Sequence, residues 1–109
     1  MKKWKVVILP DAESDIEMIY LYIAAALTEP VTAGRLVLRI KKAIRGLSTM
    51  PERHRLYDKE PWHSKGLRWF PVGNYIIFYH TASETDTVFI DGVVYGGSDI
   101  DRFVGEMPM

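Results

Sequence analysis

The stretch Gly66-Leu-Arg-Trp-Phe-Pro-Val-Gly-Asn-Tyr-Ile-Ile-Phe-Tyr79 decides the fold of this chain. Its pattern predicts two β-strands joined by a turn at Val72-Gly73-Asn74, because glycine and asparagine tolerate the backbone angles of a tight turn. Apolar side chains alternate along both strands, at Leu67 and Trp69 and then at Tyr75, Ile77 and Tyr79. We therefore predict a β-hairpin that gives the preceding helices a surface to pack on.

Two more strands are predicted on either side of this hairpin. Lys5 to Leu9 is a short β-branched run that Pro10 ends. After the hairpin, His80 to Asp86 is expected to form a polar turn, and Thr87 to Tyr95 a strand that pairs back. Gly92 lies inside this last strand, where a glycine indicates a β-bulge or a close approach of the backbone to another group.

Two helices are predicted between the first strand and the hairpin. The first begins near Asp11 and is expected to end at Thr28-Glu29-Pro30, because proline cannot continue a helix. Its apolar stripe has the helical period and consists of Ala12, Ile16, Ile19 and Ile23. The second helix is expected to run from Thr32, as its N-cap, to Leu47.

The predicted order of elements is β-α-α-β-β-β, followed by a short helical turn from Ile100 to Val104 that Ser98 and Asp99 would cap. We expect an α+β fold in one domain, residues 1–109, with a helical hairpin packed on one face of a small, mainly antiparallel sheet. The first helix is rich in acidic residues and the second in basic ones, so complementary charge supports their seam. The later strands carry apolar residues on both faces, which would leave the uncovered face to a partner.

Composition and charge argue against several classes of function. The chain carries 14 Lys and Arg against 14 Asp and Glu, a formal net charge of zero, whereas proteins that grip nucleic acid usually carry a basic excess. With no cysteine and three histidines that lack ligand spacing, we expect no metal site, and no motif indicates a cofactor. No apolar run is long enough for a membrane helix or a signal peptide, so we expect a cytoplasmic protein without a membrane partner.

The segment from Ser48 to Lys65 has no periodicity and contains Pro51 and Pro61, so it is predicted to be a long loop. Its basic residues and its tryptophan have the composition of nucleic-acid contacts, although acidic neighbours nearly cancel their charge. Two interpretations stay open: a solvated surface loop, or a contact with a target.

Four groups of residues, in fixed order and spacing, cover about residues 5 to 104 of the chain. They are Pro10-x-Ala12-x-x-Asp15-Ile16-x-x-Ile19-x-x-Tyr22-Ile23; Ala43-Ile44-x-x-Leu47-x-x-x-Pro51-Glu52; Gly66-Leu67-Arg68 with Val72-Gly73-Asn74-Tyr75 and Phe78-Tyr79; and Val93-Val94-Tyr95-Gly96-Gly97-x-Asp99-Ile100. Together they resemble the ParE/RelE superfamily of toxins from type II toxin–antitoxin modules, also known as plasmid stabilisation proteins. The resemblance implies a helical hairpin against a small antiparallel sheet.

The superfamily that the chain resembles has two branches with different activities. The RelE branch cleaves mRNA in the ribosome, and it carries basic residues or histidine where this chain has Ile76 and Ser98. Isoleucine can neither transfer a proton nor neutralise a phosphate, and serine is a poor general acid at neutral pH, so we expect this chemistry to be largely missing. The candidate catalytic residues of a ribosome-dependent mRNA endoribonuclease would be Arg68, His80, Tyr95 and the Arg53-His54-Arg55 loop.

The Gly-Leu-Arg-x-x-Pro-x-Gly pattern followed by an apolar residue resembles the ParE branch instead, whose members with an assigned target poison DNA gyrase. The candidate target-binding residues are Arg53, Arg55, Arg68, Tyr95 and Asp99. Arg68 has a second interpretation, in which it pairs with Asp99 or another carboxylate for structural reasons. Relatives often have arginine at the position of Ser98, so toxicity would be reduced here if that arginine binds the target.

The partner that the resemblance implies is a cognate antitoxin, a short protein whose C-terminal segment folds on binding. It would wrap the helical hairpin and cover apolar sheet surface. The candidate partner-binding residues are Arg35, Arg39, Lys42, Tyr75, Ile77 and Tyr79. A homodimer and a hetero-oligomer with the antitoxin both fit the sequence, and a degenerate relative that binds its partner without toxicity is a third hypothesis.

Overall fold

The computed structural model describes residues 2–108, which form four β-strands and three α-helices. The strands are β1 (Lys5–Ile8), β2 (Arg68–Val72), β3 (Tyr75–Ala82) and β4 (Thr87–Tyr95), and the helices are α1 (Pro10–Leu21), α2 (Pro30–Arg45) and α3 (Ile100–Gly105). A π-helical turn, Tyr22–Ala26, extends α1, and short 3₁₀ turns lie at Gly46–Ser48 and Pro51–Arg53. The order of elements confirms the predicted β-α-α-β-β-β arrangement with a short last helix.

The strands form one sheet in the order β1-β4-β3-β2. β2 and β3 are the predicted hairpin, and β4 pairs antiparallel with β3. β1 pairs parallel with β4, because α1 and α2 carry the chain across the sheet before the later strands begin. The α+β class and the mainly antiparallel sheet are therefore confirmed.

Helices α1 and α2 cover one face of the sheet and enclose the larger core. Its buried residues are Ala12, Ile16, Ile40, Ile44, Leu47, Phe70, Val72, Ile77, Tyr79, Val88, Ile90 and Val93. The apolar stripe predicted for the first helix provides Ala12 and Ile16 to this core. Full burial of one such large side chain stabilises the fold by about 1.5–3 kcal/mol relative to exposure, so this face dominates the stability.

The second face of the sheet is also largely covered, which contradicts the expectation that it would be left to a partner. The loop after α2 and helix α3 lie over it. The buried residues of this smaller core are Tyr57, Leu67, Phe78, Val94 and Val104. The apolar residues on both faces of the later strands thus find partners within the same chain.

Strand register explains which hairpin residues meet which core. Phe70 pairs with Ile77 and lies under the helices, whereas Trp69 pairs with Phe78 on the opposite face. Successive residues of a strand point to opposite faces, so Leu67 and Trp69 pack with the second core. The prediction that Leu67 and Trp69 pack beneath the helical hairpin was therefore wrong, because both side chains point to the opposite face of the sheet.

The connection between α1 and α2 differs from its prediction. The helical backbone of α1 continues through the π-helical turn to Ala26, and Pro30 begins α2 instead of ending the helix before it. Glu29, not Thr32, is the N-cap residue of α2. A proline fits the first helical turn because that position needs no N–H donor and already has the helical φ angle.

The segment from Ser48 to Lys65 was predicted to be a loop without regular structure. Backbone hydrogen bonds tie part of this loop to the hairpin. The amide of Tyr57 donates to the carbonyl of Leu67 (2.8 Å), and the amide of Trp69 donates to the carbonyl of Arg55 (3.1 Å). These bonds occupy the outer edge of β2, where unpaired backbone groups would otherwise face solvent. The loop is therefore part of the fold.

Both expectations for Gly92 are confirmed. The pairing of β3 with β4 shifts between Phe78, opposite Gly92, and Tyr79, opposite Ile90, so Asp91 is the extra residue of a β-bulge. A Cβ on Gly92 would lie 2.8 Å from the ring of Phe103 and 3.3 Å from the Oδ2 atom of Asp15. Glycine is required here because α3 approaches the strand closely.

We expect Gly92→Ala to lower the free energy of unfolding by about 1–3 kcal/mol, because the new methyl group displaces the Phe103 ring from its seat on Phe78. Gly34→Ala is the matched control: a Cβ there meets nothing within 4 Å, and alanine in the interior of α2 adds up to about 1 kcal/mol. Urea unfolding measures both variants. Equal stability of the two would contradict the close approach at Gly92.

Candidate functional site

The tyrosine end of the sheet, defined by Tyr22, Tyr75 and Tyr95, is one candidate surface. The rings of Tyr75 and Tyr95 meet edge to face, with centroids 5.7 Å apart. Burial raises the pKa of Tyr75, and the neighbouring phenols of Tyr95 and Tyr22 raise it further. The Arg39 guanidinium lies over the adjacent turn, its Nη1 3.5 Å from where a Cβ on Gly73 would be. A cation and three phenols thus share one end of the sheet.

The backbone after β4 holds Tyr95 in an accessible position. The amide of Gly96 donates to the carbonyl of Asn74 (2.7 Å), which continues the pairing of β3 with β4. A Cβ on Gly97 would lie 2.4 Å from the Tyr95 ring, so the ring rests against bare backbone. The Tyr95 side chain is nevertheless half exposed (52%). It is available to a binding partner.

A shallow groove on the second face of the sheet adjoins the tyrosine end. It consists of two cavities of about 300 and 280 Å³ that share Trp69 and Ile76. Arg55 borders it with its guanidinium carbon 5.3 Å from the centre of the Trp69 ring, a cation–π contact. We call this feature the second-face groove. Its lining is mostly apolar, with Arg55 and Asp58 as the charged residues.

Two of the candidate target-binding arginines have structural partners. Arg53 donates from Nη1 to the carbonyls of Thr49 (2.7 Å) and Met50 (3.1 Å), just beyond the end of α2. Arg68 donates to the carbonyl of His54 (2.6 Å), and its Nη2 lies 3.9 Å from Glu52. Arg68 was predicted to pair with Asp99 or with another carboxylate. The prediction of Asp99 was wrong, and the carboxylate next to Arg68 is that of Glu52.

Asp99 caps helix α3, as the sequence predicted. Its carboxylate accepts a hydrogen bond from the amide of Arg102 (3.2 Å). In the first turn of α3, Asp101 accepts hydrogen bonds from Tyr57 and Lys59 of the loop, and these bonds lower the pKa of Asp101. Together these contacts hold α3 over the second face of the sheet.

His80 is paired with a buried carboxylate. Its Nδ1 is 2.7 Å from Oδ2 of Asp91, the extra residue of the bulge, and its ring stacks on Phe89. Asp91 is buried, and this burial raises its pKa even though the His80 hydrogen bond lowers it. A buried carboxylate without a partner is costly, which gives His80 a structural role.

The candidate nuclease residues lie in three places, and in one of these Arg68 meets the Arg53-His54-Arg55 loop. Tyr95 of β4 pairs with Tyr75 of β3. His80 lies five residues after Tyr75 on β3, about 17 Å from it at the usual rise per residue. The Arg68 guanidinium points to the His54 carbonyl at the edge of the sheet. Arg68, His80 and Tyr95 are therefore distributed over three separate parts of the sheet.

The candidate partner-binding residues also separate into different environments. Arg35 and Lys42 are exposed on α2, Arg39 lies over the turn, and Tyr75 is half-buried at the tyrosine end. Ile77 and Tyr79 have no exposed surface, so the expectation that they contact a partner was wrong. Their strand positions place them beneath the helices, where the Tyr79 hydroxyl donates to the carbonyl of Pro51 (2.6 Å) and burial raises the pKa of Tyr79 to about 12.

Several accessible apolar residues were missed by sequence reasoning. Val31 and Leu38 on α2 are each 67% exposed, and Met18 on α1 is 63% exposed. Val31 and Leu38 are seven residues apart and lie opposite the buried stripe of α2. A helical projection of the sequence contains that signal.

Two further classes of site find no support in the part of the chain that the structure describes. Among residues 2–108, no group of three His, Asp or Glu side chains is arranged to hold a metal ion. Within the same range, the helices are too short or too polar to span a bilayer.

Comparison with solved structures shows which folds this one resembles. The fold is similar to the chromosomal ParDE toxin–antitoxin system of P. aeruginosa, with a TM-score of 0.69, 16% identity, and coverage of 85% of this chain and 96% of that chain. It is also similar to the RelBE2 toxin–antitoxin complex of Mycobacterium tuberculosis, with a TM-score of 0.61, 21% identity, and coverage of 87% and 93%. The chain has the fold of the RelE/ParE superfamily of toxins.

The family follows from the sequence comparison. The family model for the ParE toxin of the type II toxin–antitoxin system parDE matches residues 6–100. The chain therefore belongs to the ParE toxin family, as the resemblance of its four residue groups predicted. No curated protein sequence matches it.

Asp15 links α1 to the bulge and provides a test of the electrostatics around it. Its half-buried carboxylate accepts a hydrogen bond from the amide of Val93 (3.0 Å). Burial raises the pKa of Asp15, the Val93 hydrogen bond partly offsets this rise, and the charge of Asp11 adds to it. The ionised carboxylate is therefore less favourable in the folded protein than in the unfolded chain.

We expect Asp15→Asn to be more stable than the wild type at pH 7, by up to about 1 kcal/mol after solvent screening. The asparagine oxygen still accepts from Val93. Because the folded pKa of Asp15 is raised, the stability linked to its proton is present below about pH 3.9 and is lost as pH rises through the folded pKa. The advantage of the variant should therefore vanish in acid.

Thermal unfolding from pH 3 to pH 8 measures this difference. Glu17→Gln, an exposed substitution on the same helix, is the control and should follow the wild type throughout. A loss of stability in Asp15→Asn at pH 7 would contradict the argument.

Proposed function

We propose that this ParE-family chain is a cytoplasmic toxin that acts on DNA gyrase and is neutralised by a cognate antitoxin. The observation that carries the proposal is the family match over residues 6–100, supported by the separation of His80 and Tyr95 from Arg68 in the described sheet. The position at which a RelE-type nuclease would have arginine is Ile76, which is half-buried against Trp69 in the smaller core. A toxin of this kind acts by binding.

The separation of the candidate nuclease residues supports action by binding. Cleavage of RNA needs a base, an acid and a cation within hydrogen-bond reach of one phosphate. His80 is engaged with Asp91 and Arg68 with His54, and both are remote from Tyr95. Ser98, where relatives often have arginine, is exposed, and its amide donates to the carbonyl of Tyr95 (3.0 Å).

We propose that the target contacts the tyrosine end and the adjoining second-face groove. Of the candidate target-binding residues, Arg55 and Tyr95 are the two whose side chains are exposed and are not used to hold a loop or a helix. Aromatic and arginine side chains at the centre of an interface contribute most of its binding energy. The proposed target surface is therefore built around Tyr95, Trp69 and Arg55.

We propose that the antitoxin segment is acidic and apolar, and that it folds on this chain as it binds. Arg35, Arg39 and Lys42 supply positive charge along α2, and Arg39 connects that charge to Tyr75 at the tyrosine end. The two similar solved structures are a ParDE toxin–antitoxin system and a RelBE2 toxin–antitoxin complex. A segment that reached the tyrosine end would exclude the target from it.

Controlled expression of the chain in a bacterial host tests the activity. We expect growth arrest with a DNA-damage response and with relaxed plasmid DNA, and we expect co-expression of the antitoxin to restore growth. With purified protein, gyrase should lose supercoiling activity, because the chain binds the enzyme itself. Primer extension on mRNA from arrested cells is the parallel measurement.

The outcomes separate the competing hypotheses. New, codon-positioned 5′ ends in mRNA, together with normal supercoiling, would overturn the gyrase proposal in favour of a ribosome-dependent endoribonuclease. Normal growth, together with tight binding of the antitoxin, would identify a degenerate relative, in keeping with serine at position 98. Arrest without either change would also contradict the gyrase proposal.

Tyr95→Ala tests the proposed target surface. We expect at least a tenfold loss of gyrase inhibition, since an exposed aromatic anchor contributes about 1–2 kcal/mol or more to an interface. Tyr20→Ala on α1 is the matched control, because Tyr20 is also an exposed tyrosine but lies outside the tyrosine end. Circular dichroism verifies that both variants fold. Equal inhibition by the two variants would exclude the tyrosine end as the target surface.

A further inference from the structure

A cleft at the outer edge of β2 adjoins the second-face groove, with which it shares Arg55 and Trp69. Its volume is about 540 Å³, larger than either cavity of the groove. We call this feature the β2-edge cleft. Its lining residues are Arg53, His54, Arg55, Trp69, Phe70 and Pro71. The loop residues among them fit either a solvated surface or a contact with a target by sequence alone.

A break in the backbone pairing forms the β2-edge cleft. The amide of Trp69 donates to the carbonyl of Arg55 (3.1 Å) and joins the loop to the strand. Pro71 lies two residues further along β2, and proline has no N–H with which to continue this pairing. The loop and the strand therefore diverge, and the cleft lies between them.

Aromatic side chains give the cleft a flat wall, which consists of His54, Trp69 and Phe70. The ring of His54 stacks on that of Phe70, with centroids 4.3 Å apart and an angle of 11° between the planes. Burial lowers the pKa of His54, and the charges of Arg53 and Arg68 lower it further, so the imidazole is neutral at pH 7. A neutral imidazole and an indole are surfaces on which a nucleobase stacks.

Positive charge surrounds this aromatic wall. The Arg55 side chain is exposed, and its guanidinium carbon lies 5.3 Å from the centre of the Trp69 ring. Arg53 and Arg68 donate to backbone carbonyls, which holds their charges close to His54. Arg55 is therefore the cation that can reach a ligand, and the other two arginines add to the positive potential.

The acidic neighbours that nearly cancel this charge in the sequence lie outside the cleft in the structure. Glu60 accepts hydrogen bonds from the amide and the hydroxyl of Ser64 (2.9 and 2.6 Å). Asp58 lines the second-face groove, and Glu52 lies 3.9 Å from Arg68. Among the described residues that line the β2-edge cleft, none is acidic. The cleft is therefore positive although the whole chain is neutral.

A flat aromatic wall and a reachable cation together fit a single strand of nucleic acid. The bases of a single strand are free to stack on protein side chains, whereas duplex bases are already stacked on one another. An acidic peptide would satisfy Arg55 and leave the aromatic wall unused. We propose that the β2-edge cleft binds a single strand of DNA, with a base against the aromatic wall and a phosphate at Arg55.

The choice of DNA over RNA rests on the proposed function, because gyrase acts on DNA. The β2-edge cleft adjoins the proposed target surface, so a toxin bound to gyrase would contact the enzyme and a DNA strand together. The cleft offers few cations, and the affinity of such contacts depends mainly on how many phosphates are neutralised. We therefore expect a dissociation constant in the micromolar range at low salt, which rises steeply with salt concentration.

Fluorescence anisotropy of a short labelled oligothymidylate tests this binding with the purified chain alone. We expect saturable binding, and binding at least tenfold weaker to a duplex of the same length. Arg55→Gln should weaken binding about tenfold and reduce the slope of log K against log salt concentration by about 0.7, because one phosphate contact is lost. Arg35→Gln is the matched control, since it removes an exposed arginine of α2 that lines none of the described cavities. The control should bind like the wild type.

A strand of abasic sugars tests the stacking without any change to the protein. It has the same phosphates but no bases, so we expect at least tenfold weaker binding than for oligothymidylate. The RNA strand oligouridylate is measured under the same conditions, and we expect it to bind no more tightly than the DNA strand. Thermal unfolding of Arg55→Gln and Arg35→Gln verifies that both variants fold.

Several results would overturn the proposal. They include no binding at low salt, equal affinity of the two arginine variants, and equal binding of the abasic strand or the duplex. Displacement of the strand by polyglutamate at equal charge would assign the cleft to an acidic segment, and tighter binding of oligouridylate would assign it to RNA.

The measurements distinguish failure of this proposal from failure of the proposed function. None of the binding experiments contains gyrase, so an absence of DNA binding leaves the gyrase proposal to its own supercoiling assay. Conversely, normal supercoiling in the presence of the chain leaves the affinity for the strand unchanged.

Discussion

The register of the central strand β3 is the constraint on which the rest of the structure depends. Ile77 and Tyr79 point toward α1 and α2, and Phe78 between them points to the opposite face. A sheet with large apolar side chains on both faces must pack against other elements on both sides, because an open face would expose a contiguous apolar patch to water. The helical hairpin supplies one cover, and the loop with α3 supplies the other.

The packing of the loop and α3 on the second face of the sheet engages several of the charged residues. Asp99 caps α3 and Asp101 joins α3 to the loop. Arg53 joins the loop to the carbonyl of Gly46 at the end of α2, and Arg68 joins it to β2. Side chains that satisfy buried or terminal backbone groups are poorly placed to do chemistry on a substrate. The surfaces left open for the proposed target contacts are therefore the tyrosine end and the second-face groove.

Local patterns predicted much of the fold because their causes are local. The bounds of β4, the Gly73-Asn74 turn, the bulge at Gly92 and the Asp99 cap each depend on a few adjacent residues. The prediction for the connection at Pro30 was wrong because a proline can follow one helix or begin the next, and the local sequence fits both. The partner of Arg68 was predicted as Asp99 or another carboxylate, and the sequence could not single out Glu52 because Glu52 and His54 lie more than ten residues away in the loop.

The sequence by itself determined the elements, their order, the family and the isoleucine at the position where a nuclease would have arginine. Only the tertiary structure decided which face of the sheet each hairpin residue occupies, which arginines are already engaged, and that Ile77 and Tyr79 are closed to any partner. The physical reason is that alternation along a strand divides residues between two faces without saying what covers either one. That depends on segments far apart in the chain, which meet only in the folded protein.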